Sequence, residues 1–394
     1  MQNSWYAGPA AAGVPAGAPR IGRVACADGG LAFEVAGGLV FRGADGRRAT
    51  LPLLEPCRLL ALSDCGKWLV AALADEGGAP GAPAAWYLLV ADLRAHAPVL
   101  LRAELGEWAL GDVRLLAAQG AHAALAVRRG GHWGLLVVDL TFLGRAELVP
   151  LPPPLAPVLL LAAGDAALAV LAEDGRRSCL LRVLPPAGRA PRTLQVVYTA
   201  REVVPLSSVA ARGPLLLFAD GARCAVLADL GSGRAAPLAP GSGMAESPAA
   251  AQSSVNCPGS FQGAALGAGA DGECWVAMCC APRVVALFDG RDGAAPPRAV
   301  WCPASDVVAL TFAGPGALFA LTADQGGVWL GLPDLRPLDY APLAWACAPG
   351  VVFRGVTRGT ATLVAAVGCV VHAFECAPPA PPAPPAGLPA PEET

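Results

Sequence analysis

Short apolar runs that end in Asp-Leu, or in a close equivalent, recur along the chain at a nearly constant spacing. The runs are LLVADL (88–93), LLVVDL (135–140), AVLADL (225–230), VALFDG (285–290) and LGLPDL (330–335). Their aspartates are 47, 90, 60 and 45 residues apart. The interval of 90 holds SCLLRVL (178–184) near its midpoint, and the interval of 60 holds the Gly/Ser/Ala/Pro-rich segment 231–272. A fixed period of about 45 residues indicates a repeat protein.

Asp-Gly dipeptides punctuate the same pattern, at 28–29, 45–46, 174–175, 220–221, 271–272, 289–290 and 292–293. They favour tight β-hairpin turns, because both central positions of such turns need a positive φ. The runs are too short and too often broken by glycine for the amphipathic helices of an α-solenoid. Residues 98–119 have room for a helix, although Gly106 and Gly111 argue against one. Short strands, hairpins and this period predict an all-β propeller of four-stranded units.

Two units resemble WD repeats. Unit 57–93 contains Ser63-Asp-Cys-Gly-Lys67, which resembles the turn of that family between the first and second strands, and Asp92 takes the place of the aspartate that ends the third strand. Unit 307–335 has an apolar first strand, a Gly-Pro-Gly turn and a second strand that leads to VWL at 328–330. No unit carries the Gly-His dipeptide of the family together with its buried Asp partner, and the Trp-Asp dipeptide does not occur. The resemblance implies a diverged WD-repeat-like propeller over about 22–376.

The number of blades follows from eight third-strand candidates, which include LVFRGAD (39–45) and CVVHAFEC (369–376). If the first and last units share one blade, the ring closes with seven blades. We predict seven and keep eight as the alternative. Closure is expected because it removes the exposed sheet edges that promote aggregation.

The domain organisation follows from composition. Residues 1–20 are predicted to be a flexible N-terminal segment and 21–376 to be the propeller, with a flexible insertion at about 231–262. The Pro-rich segment 377–394 is predicted to be a disordered tail in the polyproline II conformation. Its PxxP spacing fits an SH3-type or WW-type ligand, but we favour a spacer.

Composition limits the class of protein. Hydrophobic residues make up 55% of the 394 positions and charged residues 15%, which provides ample core. A single lysine and a single isoleucine indicate a GC-rich genome. The net charge of −3 gives no global attraction to nucleic acid, so nucleic-acid contacts are expected only indirectly.

Thirteen cysteines without a repeated spacing, and no signal-peptide pattern at the N-terminus, indicate reduced thiols and a cytoplasmic or nuclear location. The apolar segments 148–172 and 359–374 are interpreted as buried strands, not membrane spans.

The residues that carry chemistry form no catalytic or metal-binding motif. The four histidines, at 96, 122, 132 and 372, lie in none of the familiar zinc spacings. Cys274, Cys279 and Cys280 alternate between the two sides of an extended strand, so we expect buried thiols and no metal site. The glycines at 267, 269 and 272 fit G-x-G-x-x-G, but no helix follows to hold a pyrophosphate. We therefore predict no enzyme, no cofactor and no metal.

The candidate interaction surface consists of residues in turns. We predict that three arginine pairs and two loop tryptophans contact partners: Arg47, Arg48, Arg128, Arg129, Arg176, Arg177, Trp108 and Trp345. The predicted function is a non-catalytic scaffold that binds other proteins within a multi-subunit complex, of the RNA-modification, ribosome-assembly or ubiquitin-ligase type. That list is an analogy at the level of the fold. The alternative is a propeller hydrolase or lactonase with a metal in its central funnel.

Overall fold

The computed structural model describes residues 2–7 and 23–376, with gaps at 28–29, 36, 44, 56, 64–65, 76–84, 109, 164–166, 187–189, 221–224, 239–262, 269–272, 282, 291–296, 313–315, 323–325, 343–353, 358–360 and 368–369. Within these residues the chain consists of β-strands and two single 3₁₀ turns, at Gly106–Trp108 and Leu206–Ser208. No helix in the described part is long and apolar enough to cross a membrane.

The strands form eight four-stranded antiparallel sheets, numbered I to VIII. The first strand of the chain, β1 (Gln2–Ala7), belongs to sheet VIII. Sheet I consists of β2 (Val24–Ala27), β3 (Gly30–Val35), β4 (Gly38–Gly43) and β5 (Arg48–Pro52). Sheet II consists of β6 (Leu59–Leu62), β7 (Trp68–Asp75), β8 (Ala85–Asp92) and β9 (Leu101–Glu104). Sheet III consists of β10 (Asp112–Gln119), β11 (His122–Arg129), β12 (His132–Asp139) and β13 (Ala146–Pro150).

The remaining sheets repeat this order. Sheet IV consists of β14 (Ala156–Ala163), β15 (Ala167–Glu173), β16 (Ser178–Leu184) and β17 (Thr193–Thr199). Sheet V consists of β18 (Ala210–Arg212), β19 (Leu215–Ala219), β20 (Ala225–Asp229) and β21 (Arg234–Leu238). Sheet VI consists of β22 (Gly263–Ala268), β23 (Cys274–Ala281), β24 (Val284–Asp289) and β25 (Ala299–Trp301). Sheet VII consists of β26 (Val307–Phe312), β27 (Ala317–Thr322), β28 (Gly326–Gly331) and β29 (Arg336–Pro342). Sheet VIII consists of β30 (Arg354–Thr357), β31 (Ala361–Val367), β32 (Val370–Cys376) and β1.

The eight sheets form a closed ring around their first strands. Each first strand contacts the first strand of the next sheet, from β2 through β6, β10, β14, β18, β22 and β26 to β30, and β30 contacts β2 again. The last sheet is completed by the start of the chain, because β1 pairs antiparallel with β32. The two ends of the propeller sequence therefore meet in one sheet.

The core lies between neighbouring sheets, and each central strand supplies two cores. Leu69, Ala71 and Leu73 of β7 pack against sheet I, whereas Val70 and Ala72 of the same strand pack against sheet III. Side chains of a strand alternate between its two faces, so a strand covered on both faces is apolar at every position. This explains the continuous apolar runs of the sequence, which would be alternating in a sheet with one solvated face.

The recurrent Asp-Leu signal marks the end of the third strand. Asp139 Oδ1 accepts hydrogen bonds from the backbone N–H groups of Thr141 and Phe142, at 2.9 and 3.2 Å, and so fixes the turn that follows. The N–H of buried Leu140 donates to the carbonyl of Ala121 across the sheet, at 2.8 Å. The same pair of contacts occurs at Asp92-Leu93 and Asp229-Leu230.

The predicted architecture of four-stranded antiparallel units is confirmed, and all eight third-strand candidates are third strands. The sheets number eight, the alternative that was kept beside the favoured count of seven. The first predicted unit forms sheet I by itself, and the strand that completes sheet VIII is β1, which lies upstream of that unit. Residues 98–119 form two strands and one 3₁₀ turn.

Two segments that were predicted to be flexible contain strands. The N-terminal segment 1–20 includes β1, and the insertion at about 231–262 begins with β21. The rest of that insertion, 239–262, and the Pro-rich tail 377–394 lie outside the described residues.

Candidate interaction surface

The order of strands sorts the loops onto two faces of the ring. Consecutive strands are antiparallel, so the turn between the second and third strands and the connection from one sheet to the next emerge at the same end. We call this end the upper face. The turns between first and second strands and between third and fourth strands emerge at the opposite end, the lower face.

The arginine pairs predicted from the sequence lie on both faces. Arg128 and Arg129 end β11, and Arg176 and Arg177 lie between β15 and β16, so both pairs are on the upper face of neighbouring sheets III and IV. All four are exposed. Arg47 lies between β4 and β5 and belongs to the lower face, together with Arg48 at the start of β5. The structure therefore brings two of the three pairs to one face and separates the third.

The turn that carries Arg176 and Arg177 is held by its own aspartate. Asp174 Oδ1 accepts the backbone N–H groups of Arg176 and Arg177, both at 2.9 Å, and Oδ2 lies 3.4 Å from Arg177 Nε. The hydrogen bonds from Arg176 and Arg177 lower the pKa of Asp174. Gly175 has a φ of 86°, which this turn requires.

Of the two tryptophans that were predicted to contact partners, one lies within the described residues. Trp108 is half-buried and packs against the core between sheets II and III, so its ring acts mainly in packing. Its 3₁₀ turn closes with a hydrogen bond of 3.1 Å from its N–H to the carbonyl of Leu105. Trp345 lies outside the described residues.

The connection from sheet IV to sheet V, residues 200–209, is fixed by a buried serine. Ser178, which is 1% exposed, begins β16 directly after the arginine turn. Its Oγ accepts the N–H of Val204 at 2.9 Å, and its backbone N–H donates to the carbonyl of Glu202 at 3.1 Å. The connection is thereby attached to the same hairpin that carries Arg176 and Arg177.

A buried aspartate fixes the same connection from the other side. Asp220 follows β19 of sheet V and is 3% exposed. Its Oδ1 accepts the N–H of Arg201 at 2.7 Å, and its Oδ2 accepts the hydroxyl of Tyr198 in β17 at 2.7 Å. Sequence analysis missed this role, because Asp220-Gly221 was interpreted only as a turn signal.

Four side chains of the connection are exposed while its backbone is held. One is Glu202, and the other three are Arg201, Val203, which is 41% exposed, and Leu206, which is 50% exposed. Inward, Val204 and Ser208 are buried, and Ser208 Oγ accepts the N–H of Ala219 at 3.1 Å. Sequence analysis did not single out these four exposed residues. The signal that was available is REVVPL at 201–206, a short segment in which charged and aliphatic side chains lie side by side.

A similar contact fixes the connection from sheet I to sheet II. Glu34 of β3 is 9% exposed, and its two carboxylate oxygens accept the N–H groups of Cys57 at 2.7 Å and Arg23 at 3.1 Å. Burial, and next the charge of Glu34, raise the pKa of the Cys57 thiol to about 12. Buried carboxylates at the ends of second strands therefore recur as anchors for the connections on the upper face.

The lower face has a polar contact between sheets III and IV. Arg192 lies in the turn before β17. Its Nε is 3.5 Å from Glu147 Oε2, and one of its terminal guanidinium nitrogens is 3.1 Å from His122 Nε2. Burial, and next the charge of Arg192, lower the pKa of His122, whereas Asp139 opposes this. The neutral imidazole accepts the hydrogen bond from the guanidinium.

Two of the positions that were considered for chemistry pack in the core, whereas His96 and His132 are exposed. Cys279 is fully buried between sheets VI and VII. Gly267 belongs to β22, and a Cβ at this position would overlap the ring of Phe312 in β26, so its small size serves the packing of two first strands. Among the described residues, no group of three or more His, Cys, Asp or Glu side chains is placed to hold a metal ion.

Comparisons with known proteins agree on the architecture only. No family model matches the chain, and no curated protein matches it. The solved structure of the Dos1 propeller is similar, with a TM-score of 0.56 and 12% identity over 96% of this chain and 95% of that chain. The chain folds as a β-propeller.

Two further structures support the same conclusion. Sqt1 of Saccharomyces cerevisiae matches the propeller with a TM-score of 0.54 and 9% identity, over 91% of this chain and 96% of that chain. BamB of Moraxella catarrhalis matches with a TM-score of 0.52 and 14% identity, over 90% and 93%. At such identities the likeness shows the fold alone. The propeller fold that the WD-repeat resemblance implied is confirmed.

Proposed function

We propose that this propeller is a non-catalytic scaffold that binds other proteins within a multi-subunit assembly. The observation that carries the proposal is the connection between sheets IV and V, whose backbone is held by Ser178 and Asp220 while Arg201, Val203 and Leu206 face outward. A surface that is already ordered loses little conformational entropy on binding, which favours association. Arginine is also among the residues enriched in the centres of protein interfaces.

The lining of the ring gives little support to the alternative, a propeller hydrolase. In the eight first strands as the structure describes them, Asp112 is the only carboxylate, and they contain no histidine. A metal-dependent hydrolase needs several such groups around one point. The half-buried side chains of these strands are mostly aliphatic, as in Leu115 and Leu116 of β10.

The type of assembly belongs to the proposal. We propose a role in the cytoplasm or nucleus, in a complex of the RNA-modification, ribosome-assembly or ubiquitin-ligase type. Contacts with nucleic acid would then be made by other subunits. The net charge of −3 supports this division, because a direct nucleic-acid binder of this size would be expected to carry a basic surface.

The test is purification of the full chain from its source cells, followed by mass spectrometry and size-exclusion chromatography. We expect a stoichiometric partner protein that elutes with the propeller. Two deletion variants, lacking 240–262 or 377–394, would show whether either segment takes part. Elution of the chain alone, together with about one equivalent of bound metal by elemental analysis, would favour the hydrolase.

A further inference from the structure

We infer that the upper face of sheets IV and V binds an acidic segment of a partner protein that also carries aliphatic side chains. This inference rests on the proposed scaffold function and names the partner chemistry. The surface, called the connector patch, consists of Arg176, Arg177, Arg201, Val203 and Leu206. Arg128 and Arg129 flank it on sheet III.

The patch is one continuous piece of surface. Arg177 directly precedes Ser178, and Ser178 is hydrogen-bonded to Glu202 and Val204, the two neighbours of Val203. Arg201 is attached to sheet V through its N–H bond to Asp220. Arg129 ends β11 of sheet III, which packs beside sheet IV. Packed sheets lie about 10 Å apart, so Arg129 is within reach of the same bound segment.

Together with the flanking Arg128 and Arg129, the patch holds five arginines beside three carboxylates, those of Glu173, Asp174 and Glu202. The side chains of Arg129, Arg176 and Arg201 make no ion pair with the described residues, and Arg177 shares Asp174 with two backbone N–H groups. Glu173 and Glu202 are the other carboxylates next to these arginines in sequence. Guanidinium groups form strong, bidentate hydrogen bonds with carboxylates. Charge complementarity therefore points to an acidic partner.

The aliphatic side chains distinguish a protein from a nucleic acid as the partner. Val203 and Leu206 expose 41% and 50% of their surface between the charged positions, where they offer apolar contact area. Binding of single-stranded nucleic acid relies on exposed aromatic rings for base stacking. The exposed large aromatic side chains of the described residues are Phe142, in a turn of the lower face, and Tyr340, in the outer strand β29. The connector patch has none.

The experiment measures fluorescence anisotropy of labelled peptides with the purified full chain. The probe peptide alternates glutamate and leucine with serine spacers. One control peptide has lysine for glutamate, and a second has serine for leucine. The variants are Arg176→Glu with Arg201→Glu, and Val203→Ser with Leu206→Ser. Arg94→Glu with Arg145→Glu, two exposed arginines in turns of the lower face, is the matched charge control.

We expect the glutamate–leucine peptide to bind the wild-type chain, and to bind more weakly as the salt concentration rises. The double charge reversal on the connector patch should weaken binding about tenfold or more. The double serine variant should weaken it several-fold, and the lower-face control should bind within about twofold of wild type. All substituted side chains are exposed, so circular dichroism should show an unchanged fold.

Three results would overturn the inference. The acidic peptide does not bind, or the patch variants bind it as tightly as wild type does. The third is that the patch arginines are needed for binding of a labelled oligonucleotide but not for binding of the peptide. The proposed function is judged separately. If the charge-reversed chain still co-purifies with its partner protein in full yield, the scaffold function stands and the connector patch is not its contact surface. If the wild-type chain retains no partner protein, the scaffold proposal itself is wrong.

Discussion

The buried carboxylate of Asp220 accepts a hydrogen bond of 2.7 Å from the hydroxyl of Tyr198, and this bond joins the second-to-third turn of sheet V to the outer strand of sheet IV. The Tyr198 ring also packs edge-on against Phe218, with 5.6 Å between the ring centroids. The other carboxylate oxygen of Asp220 holds Arg201. One side chain therefore couples the packing of two sheets to the position of the connector patch.

Asp220→Ala should lower the free energy of unfolding by about 1–3 kcal/mol, because it removes the buried carboxylate that accepts the hydrogen bonds of the Arg201 N–H and the Tyr198 hydroxyl. Tyr198→Phe removes one of the two hydrogen bonds and should have a smaller effect, about 0.5–1.5 kcal/mol. Urea unfolding measures both. Asp334→Ala, at a carboxylate that is 64% exposed, is the control and should stay within about 0.5 kcal/mol of wild type. Equal effects of Asp220→Ala and Asp334→Ala would contradict the anchoring role.

The third strands were predictable because their signal is local. Asp139 fixes a turn that begins at the next residue, and Leu140 must be apolar because it is buried immediately after that strand. Both requirements fall within a few residues, so they recur as letters in the sequence. The hairpin at Asp174-Gly175 was predictable for the same reason.

The anchors of the connections were not predictable because their partners are distant in sequence. Asp174 and Asp220 each precede a glycine in the sequence. Asp174 accepts hydrogen bonds within its own turn, whereas Asp220 is buried. What separates them is Tyr198, which lies 22 residues before Asp220 on a neighbouring sheet. The face of the ring on which each arginine pair lies could not be predicted either, because it depends on which strand of its sheet precedes the pair.

Cys57 should be inert towards alkylation in the folded protein. Burial and the nearby Glu34 raise the pKa of its thiol to about 12, and only the thiolate reacts with iodoacetamide. At about pH 8, we expect peptide mapping by mass spectrometry to find the exposed Cys302 alkylated and Cys57 protected. Addition of urea should make Cys57 reactive. Alkylation of Cys57 at the rate of Cys302 without urea would show that the connection between sheets I and II opens readily.

The contact between His122 and Arg192 should make stability depend on pH. Burial and the Arg192 charge lower the pKa of His122 below its ordinary value of 6.5. The unfolded chain then binds the proton more readily than the folded chain, so the stabilisation is complete above pH 6.5 and is lost as the pH falls towards the folded pKa. Wild type should lose more stability than His122→Gln between about pH 7.5 and 5.5.

His96→Gln is the matched control for this measurement, because His96 is exposed in a turn of the lower face. Its pH dependence should equal that of wild type. If His122→Gln also keeps the full wild-type dependence, the imidazole is not the group that titrates. Arg192→Gln should reduce the dependence as well, since it removes the positive charge that opposes protonation of His122.

Gly267→Ala should destabilise the ring, because a methyl group at this position overlaps the ring of Phe312, which is 1% exposed. Overpacking of this kind costs about 1–3 kcal/mol. Gly316→Ala is the matched control, since no atom lies within 4 Å of the place that its new methyl group would take, and it should change stability by less than about 0.5 kcal/mol.

Phe312→Ala creates a cavity and is itself destabilising, but it removes the atoms with which the methyl group at position 267 would collide. In urea unfolding, the double variant should therefore lose less stability than the sum of the two single losses. Strict additivity would mean that the two first strands separate without strain, and that the glycine has no packing role.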